Sequence, residues 1–315
     1  MKELTKILVT GAAGYIGSHL TERLLDMGLE VKVLIHSNSQ KIQHLLGNPK
    51  LEIVRGDVRI PNDCTEAVKG CDIVVHLAAL ISIDHSIEHS KTFWDINVGG
   101  TFNMLGASFS EDIDRFIYMS SCEILGNIPE GKADENYPKK FLRSPYAASK
   151  YAAEAYCQGY YFAHKFPIVI TRGFNVFGPR QKPGERGAVI PTFIKKALRN
   201  EPLLIYGDGN QIRDYLYVKD VADALAKAVI THGISGEVIH ICSGIGRSIN
   251  EIAPKIISIC HSHSKLIHLE ASPSEISRSV GDNTKAKKLL KWKPRFSFDD
   301  GLKKTVQWFK PNDTN

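Results

Sequence analysis

Short, uninterrupted apolar runs alternate along this chain with longer stretches in which apolar residues recur every three or four positions. The runs fall near residues 6–10, 31–35, 51–55, 72–77, 115–119 and 167–171. They lack the in-and-out alternation of a strand with one wet face, as Ile73-Val74-Val75 illustrates, so each reads as a strand buried on both sides. The stretches between them carry helical periodicity. Strand and helix in strict alternation predict an α/β fold, a Rossmann-type doubly wound parallel sheet with helices on both faces. Beyond Arg172 the chain becomes richer in Pro and Gly, with helices expected near 187–199, 218–231 and 248–260. Strand-like Val238-Ile239-His240-Ile241 is expected to return to the main sheet. The division predicted is a dinucleotide-binding domain over 1–172, which also receives a strand at 237–242, and a smaller, discontinuous substrate lobe mainly over 173–315. No linker, repeat or low-complexity segment separates them, and 315 residues are enough to bury both cores.

Composition narrows the partners. A net charge of +6 suits an anionic ligand, but the basic residues are dispersed, and no basic stretch interleaved with aromatics points to nucleic acid. The six cysteines show no paired spacing, which predicts reduced thiols and a cytoplasmic protein. Met1-Lys2-Glu3-Leu4-Thr5 leads almost at once into the first strand, leaving no room for a signal peptide. The apolar run Ile73–Ile83 is too short to span a bilayer, so no membrane association is expected. Cys260-His261-Ser262-His263 with His268 matches no common zinc spacing, and no metal is predicted.

Two motifs carry chemistry. Lys6-Ile7-Leu8-Val9-Thr10 runs into Gly11-Ala12-Ala13-Gly14-Tyr15-Ile16-Gly17. A strand, a glycine-spaced turn and a helix start place backbone N–H groups around a diphosphate, with Gly11 making the turn, Gly14 admitting the ligand and Gly17 packing helix against strand. In Ser144-Pro145-Tyr146-Ala147-Ala148-Ser149-Lys150, Tyr146 and Lys150 lie four apart on a helix and share a face. A nearby ammonium favours the phenolate, so Tyr146 has the means to take a hydroxyl proton. Taken alone, that pair is better read as a surface tyrosine and lysine.

Together with further motifs, the chain resembles the extended short-chain dehydrogenase/reductase superfamily, in its nucleotide-sugar epimerase and dehydratase branch. The added motifs are Gly56-Asp57-Val58, His76-Leu77-Ala78-Ala79, Asn97-Val98, Ser120-Ser121, Gly173-Phe174-Asn175-Val176-Phe177-Gly178-Pro179-Arg180, Tyr206-Gly207-Asp208-Gly209, Arg213-Asp214-Tyr215 and the ending Trp292 to Phe309. The resemblance implies a nicotinamide cofactor held by Gly11, Gly14, Tyr15, Ile16, Gly17, His36, Asp57, Val58, Leu77, Ala78, Ala79, Asn97, Tyr146 and Lys150. It also implies catalysis by Ser121, Tyr146 and Lys150. A nucleotide-diphosphate sugar would meet Ser121, Asn175, Arg180, Val189, Arg213 and Arg278. Relatives pair helices across a two-fold axis, and the apolar surplus near 88–109 and 146–163 predicts a homodimer in that manner.

Three departures bear on the reaction. Where NAD-preferring relatives carry an acid after the second strand, this chain has Ile35-His36, so NAD is favoured by a self-contained redox cycle while NADP stays open. An arginine common in relatives is replaced by Ser272, with Arg278 as the substitute. Glu123 follows the serine pair, as it does in many dehydratases and decarboxylases, and a carboxylate there suits removal of a C5 proton. The motifs of the C-terminal half look most like UDP-hexose 4-epimerases. The expectation is therefore a 4-epimerase acting through a 4-keto sugar, with a 4,6-dehydratase, an NADP-linked ketoreductase and a non-catalytic scaffold as successive alternatives.

Overall fold

A computed structural model describes residues 6–36, 39–139, 142–184, 188–271 and 276–310. Six strands, β1 (Lys6–Thr10), β2 (Glu30–Ile35), β3 (Leu51–Arg55), β4 (Ile73–His76), β5 (Arg115–Ser121) and β6 (Ile168–Gly173), join Val238–Ile241 in one sheet. All pairings in it are parallel, and its order is Val238–Ile241, β6, β5, β4, β1, β2, β3. The chain starts in the middle, winds out to β3 and returns to β4 on the other side of β1. That reversal opens a crevice beyond the carboxyl ends of β1 and β4. Ile7, Leu8 and Val9 of β1 are fully buried, as are Val74 and Val75 of β4, because helices cover both faces. At the edge, β3 has Glu52 and Ile53 exposed, since nothing pairs beyond it.

The second lobe is built around the strand Ile212–Tyr217. It pairs with Asn175–Phe177, Gly246–Ser248 and Arg278–Ser279, while Leu203–Tyr206 pairs with Leu266–Leu269. The helices Val189–Leu198, Ile249–Cys260 and Phe298–Phe309 bury Phe193, Ile252, Leu302 and Phe309 in a core of their own. Asp214, fully buried, ties this lobe to the sheet: its carboxylate accepts from the backbone N–H of Ser243 at 2.8 Å, Gly244 at 2.8 Å and Gly281 at 3.3 Å. The C-terminal aromatics are packing, with Trp292 only 1% exposed and its indole N–H donated to the carbonyl of Asp220.

The stretch read as one helix near 88–109 is divided. Ile83–Glu88 and Ser90–Phe93 precede a wide π-type turn at Trp94–Gly99, and a regular helix resumes over Gly100–Ser110. The wide turn carries Asn97, whose amide donates to the Leu80 carbonyl and the Ser149 hydroxyl, while its oxygen accepts from the Leu80 N–H. Among the described residues no helix is long and apolar enough to cross a membrane, and no three His, Cys, Asp or Glu side chains come together as metal ligands.

Candidate active site

The glycine turn is forced by close approach. Gly11 has φ +67°, and a Cβ there would lie 2.8 Å from the Ala78 nitrogen; at Gly17 it would lie 2.2 Å from the Gly11 carbonyl oxygen. Only glycine tolerates both. Beneath the turn, the Thr10 hydroxyl accepts from the N–H groups of Leu77 and Ala78 and lies 2.8 Å from His76 Nδ1. Nε2 of His76 meets Thr101 at 3.1 Å. Burial lowers the His76 pKa to about 3, so the ring stays neutral and acts as a brace between strands and helix.

A cavity of about 370 Å³ opens over this turn, lined by Gly11, Gly14, His36, Asp57, Val58 and Ala78 and also by Gln40, Lys41, Arg59, Ile96 and Lys182. Arg59 holds the Asp57 carboxylate below its usual pKa, with Nε donating at 2.9 Å. His36 Nε2 lies 3.3 Å from the same carboxylate. The last five lining residues escaped the sequence reading. Lys41 and Lys182 are far apart in the chain, and only the fold brings them to one rim.

Tyr15 and Ile16 open the helix Tyr15–Asp26. The Tyr15 hydroxyl is buried without a partner among the described residues, as are Asn175 Nδ2 and Arg180 Nη1. It sits 3.2 Å from where a Gly178 Cβ would be. Buried polar atoms left unpaired are costly. None of the three lines the cavity over the glycine turn; it is the cradle itself, which a Cβ at Gly11 or Gly17 would fill, that fits a dinucleotide diphosphate.

The reaction end is dry. Ser144 caps the helix Pro145–His164 by accepting from the Ala147 N–H, and Pro145 takes the first helical position, where no N–H is needed. Tyr146, Lys150 and Glu154 repeat every fourth residue on the buried face, at 7%, 4% and 0% exposure. Burial pushes the Tyr146 phenol pKa well up; the Ser121 hydroxyl works against that rise and the charge of Glu123 adds to it. Burial lowers the Lys150 pKa to about 7, opposed by Cys157 and Glu154. Its Nζ donates to the Met119 carbonyl at 2.6 Å and lies 4.4 Å from the Tyr118 ring centroid, both of which favour the ammonium.

Glu123 lies in the short turn Cys122–Leu125 after β5, its N–H donated to Ser121 Oγ at 3.2 Å. Cys122 is packed with Ile124, Phe174 and Cys242 at 4% exposure, and burial pushes its thiol far above the ordinary value.

Not all the proposed substrate residues converge. Asn175, Arg213 and Arg278 lie on adjoining strands of the small sheet, in register with Tyr215, Ser279 and Ile212 respectively. Arg278 donates to the Ile128 carbonyl, and Arg213 to that of Ile212. Arg180 instead pairs with Glu22 at 2.6 Å, back on the first helix, and Val189 begins its own helix. Ser272 lies outside the described residues. Arg172, next to last in β6, does not line the cavity: it is 1% exposed and ion-paired with Glu154 at 2.6 Å, beside His240.

A doubly wound sheet, a glycine cradle and a Ser121–Tyr146–Lys150 set at the strand ends define an enzyme of the extended short-chain dehydrogenase/reductase class. More particularly, residues 7–242 match the NAD dependent epimerase/dehydratase family, to which the chain belongs. A UDP-N-acetyl-alpha-D-glucosaminuronate decarboxylase of Bacillus cytotoxicus is 35% identical over 97% of this chain and 98% of its own length. The structure of UDP-glucuronic acid 4-epimerase from Bacillus cereus, in complex with UDP-glucuronic acid and NAD, superposes with a TM-score of 0.92 at 32% identity, covering 98% of this chain and 100% of that one. The dTDP-glucose 4,6-dehydratase DesIV of Streptomyces venezuelae, solved with NAD bound, also reaches 0.92, at 30% identity over 98% of each chain. Family and fold are thus those of NAD-dependent enzymes that modify nucleotide sugars by epimerisation, dehydration or decarboxylation.

Proposed function

We propose that this chain is a nucleotide-sugar 4-epimerase, acting on a UDP-hexose. The observation that carries the reading is the set of neighbours of Tyr146. Ser121 and Lys150 serve oxidation at C4, while Cys122, the residue between Ser121 and Glu123, is buried with a thiol that holds its proton. Loss of the C6 hydroxyl as water needs a proton donor at that oxygen, and Cys122 is not one.

NAD, held over Gly11, Gly14 and Gly17 and by Asp57 and Val58, supplies a reversible two-electron acceptor when bound. Ser121 hydrogen-bonds the C4 hydroxyl and fixes its lone pairs relative to Tyr146. Tyr146 removes the hydroxyl proton as the C4–H bond breaks, giving a ketone. The Lys150 ammonium stabilises the phenolate that burial alone disfavours. Asn175, Arg213 and Arg278 hold the diphosphate, about which the ketone turns to present its other face. Tyr146 then returns the proton as C4 is reduced, so the sugar leaves with its mass unchanged.

A second reading rests on Glu123, whose charge bears on Tyr146. A carboxylate there suits C5 deprotonation in a 4,6-dehydratase. Incubation with UDP-, GDP-, CDP- and dTDP-sugars, with products read by mass and proton NMR, separates the two: a product of equal mass with inverted C4 supports epimerisation. Loss of water or of carbon dioxide overturns it.

The same proposal takes residues 1–172 as the cofactor domain, with 173–315 mainly the substrate lobe, and the protein as a homodimer. Phe102, Phe109, Tyr156 and Phe162 are 47%, 43%, 44% and 69% exposed on the helices Gly100–Ser110 and Pro145–His164. Phe102 and Tyr156 pack edge to face at 5.6 Å. Such a patch suits pairing with its own copy. A sedimentation coefficient of a monomer at micromolar concentration would count against it.

A further inference from the structure

The cavity rim beyond β2 is more positive than NAD alone calls for. In an NAD site, a carboxylate after the second strand bonds the adenosine ribose and repels a 2′-phosphate. Here β2 ends at Ile35, and the side chain that follows is His36. Lys41, Arg59 and Lys182 line the same cavity, and Asp57 is the one carboxylate among the lining residues. Asp57 is already matched, by Arg59 at 2.9 Å and His36 at 3.3 Å. Lys41 and Lys182 have no ion-pair partner among the described residues. Both line one cavity, and partial burial and then the charge of Lys182 lower the Lys41 pKa, as expected of two like charges held near one another. An anion between them would relieve that repulsion, and a phosphate monoester supplies the needed charge and acceptors.

We infer that Lys41 and Lys182, with His36 and Arg59 at their flank, form a subsite for the 2′-phosphate of the adenosine ribose, so that the chain binds NADP as well as NAD. The inference rests on the proposed seating of the dinucleotide over Gly11 and Gly14. It assigns cofactor selection to residues remote from Tyr146, which leaves the chemistry at the sugar unchanged.

The test is calorimetric titration of the nucleotide-stripped protein with NAD and with NADP. NADP is expected to bind with a Kd within about tenfold of that for NAD. In the double variant Lys41→Ser/Lys182→Ser its affinity should fall by at least ~10-fold, while that for NAD changes by less than ~3-fold. Raising the salt should weaken NADP more than NAD. Should the double variant fail to fold by circular dichroism, Lys41→Ser alone is read against the same scale. NADP binding more than about tenfold weaker than NAD in the unaltered protein overturns the subsite and leaves the proposed function standing. Equal losses for both nucleotides in the variant also overturn it. Binding of neither overturns the seating of the dinucleotide itself.

Discussion

The two ends of the crevice handle charge in opposite ways. Over the glycine turn, His36, Arg59 and Lys182 are exposed side chains lining one cavity with Asp57, and little of the fold depends on them. At the reaction end, Tyr146, Lys150 and Glu154 are almost wholly buried, and each polar group there is held by another. A solvated charge tunes affinity at small cost, because water screens it and substitution leaves no orphan. A desolvated one shifts its pKa and must be matched by a partner, so substitution there disturbs fold and chemistry together. On the proposed reading, selection of the nucleotide and activation of the hydroxyl are thereby separated along one groove.

The sharpest way to break this contrast is at Glu154. Its carboxylate accepts from Arg172 at 2.6 Å and 3.2 Å with both side chains shut off from water. Glu154→Gln leaves the Arg172 guanidinium buried against a neutral amide and should cost about 3–5 kcal/mol in urea unfolding. Glu154→Leu combined with Arg172→Met should recover much of that loss, since the pair is replaced by apolar volume. A loss under about 1 kcal/mol would mean that water reaches the pair and the reaction end is not dry.

Tyr146→Phe comes next. It keeps the ring and its packing while deleting the group that moves the proton, so turnover should fall by at least ~100-fold, or about 2.7 kcal/mol. Urea midpoints should shift far less than in Glu154→Gln. Near-normal turnover would remove Tyr146 from the chemistry.

Acid should weaken the fold through its buried histidines. His76 and His240 have pKa values of about 3 in the fold, each lowered first by burial and then by a nearby cation. Their unfolded values lie near ~6.5. Between those values the unfolded chain holds protons that the native state lacks, so stability falls as pH drops below 6.5, by at most about 1.4 kcal/mol per pH unit for each ring. His76→Gln, whose amide can still meet Thr10, should flatten the profile between pH 6.5 and 5. An unchanged slope in that variant would show that His76 titrates normally.

The contrast was only partly legible in the sequence. Backbone rules are local, so the strand, the turn at Gly11 and the helix at Pro145 could be read from spacing and caps. The face shared by Tyr146 and Lys150 follows from the helical repeat alone. What spacing could not show is which side of a strand end a residue takes: Arg172, near the end of β6, is buried against Glu154. Nor does periodicity register a π-type turn at Trp94–Gly99 inside an otherwise helical pattern. The lysines at positions 41 and 182 become neighbours only when the segment after Pro179 folds back over the first helix, a contact anchored by Arg180 and Glu22.

The smallest expected effect is the one that decides the reaction. Glu123 follows directly on the end of β5, with its N–H on Ser121 and its charge bearing on Tyr146. Glu123→Gln keeps the volume, removes the charge and turns one acceptor oxygen into a donor NH2. In a 4-epimerase the C5 proton is never taken, so turnover should change by less than about threefold. The direction should be upward at neutral pH, because a negative neighbour disfavours the phenolate that Tyr146 must form. In a 4,6-dehydratase the same change deletes the C5 base, product formation should slow by roughly 100-fold or more, and a 4-keto sugar should accumulate. Stopped-flow absorbance of the cofactor with mass analysis of the sugar distinguishes the two. A water-loss product abolished by Glu123→Gln would overturn the epimerase proposal and give Glu123 a direct part in the chemistry.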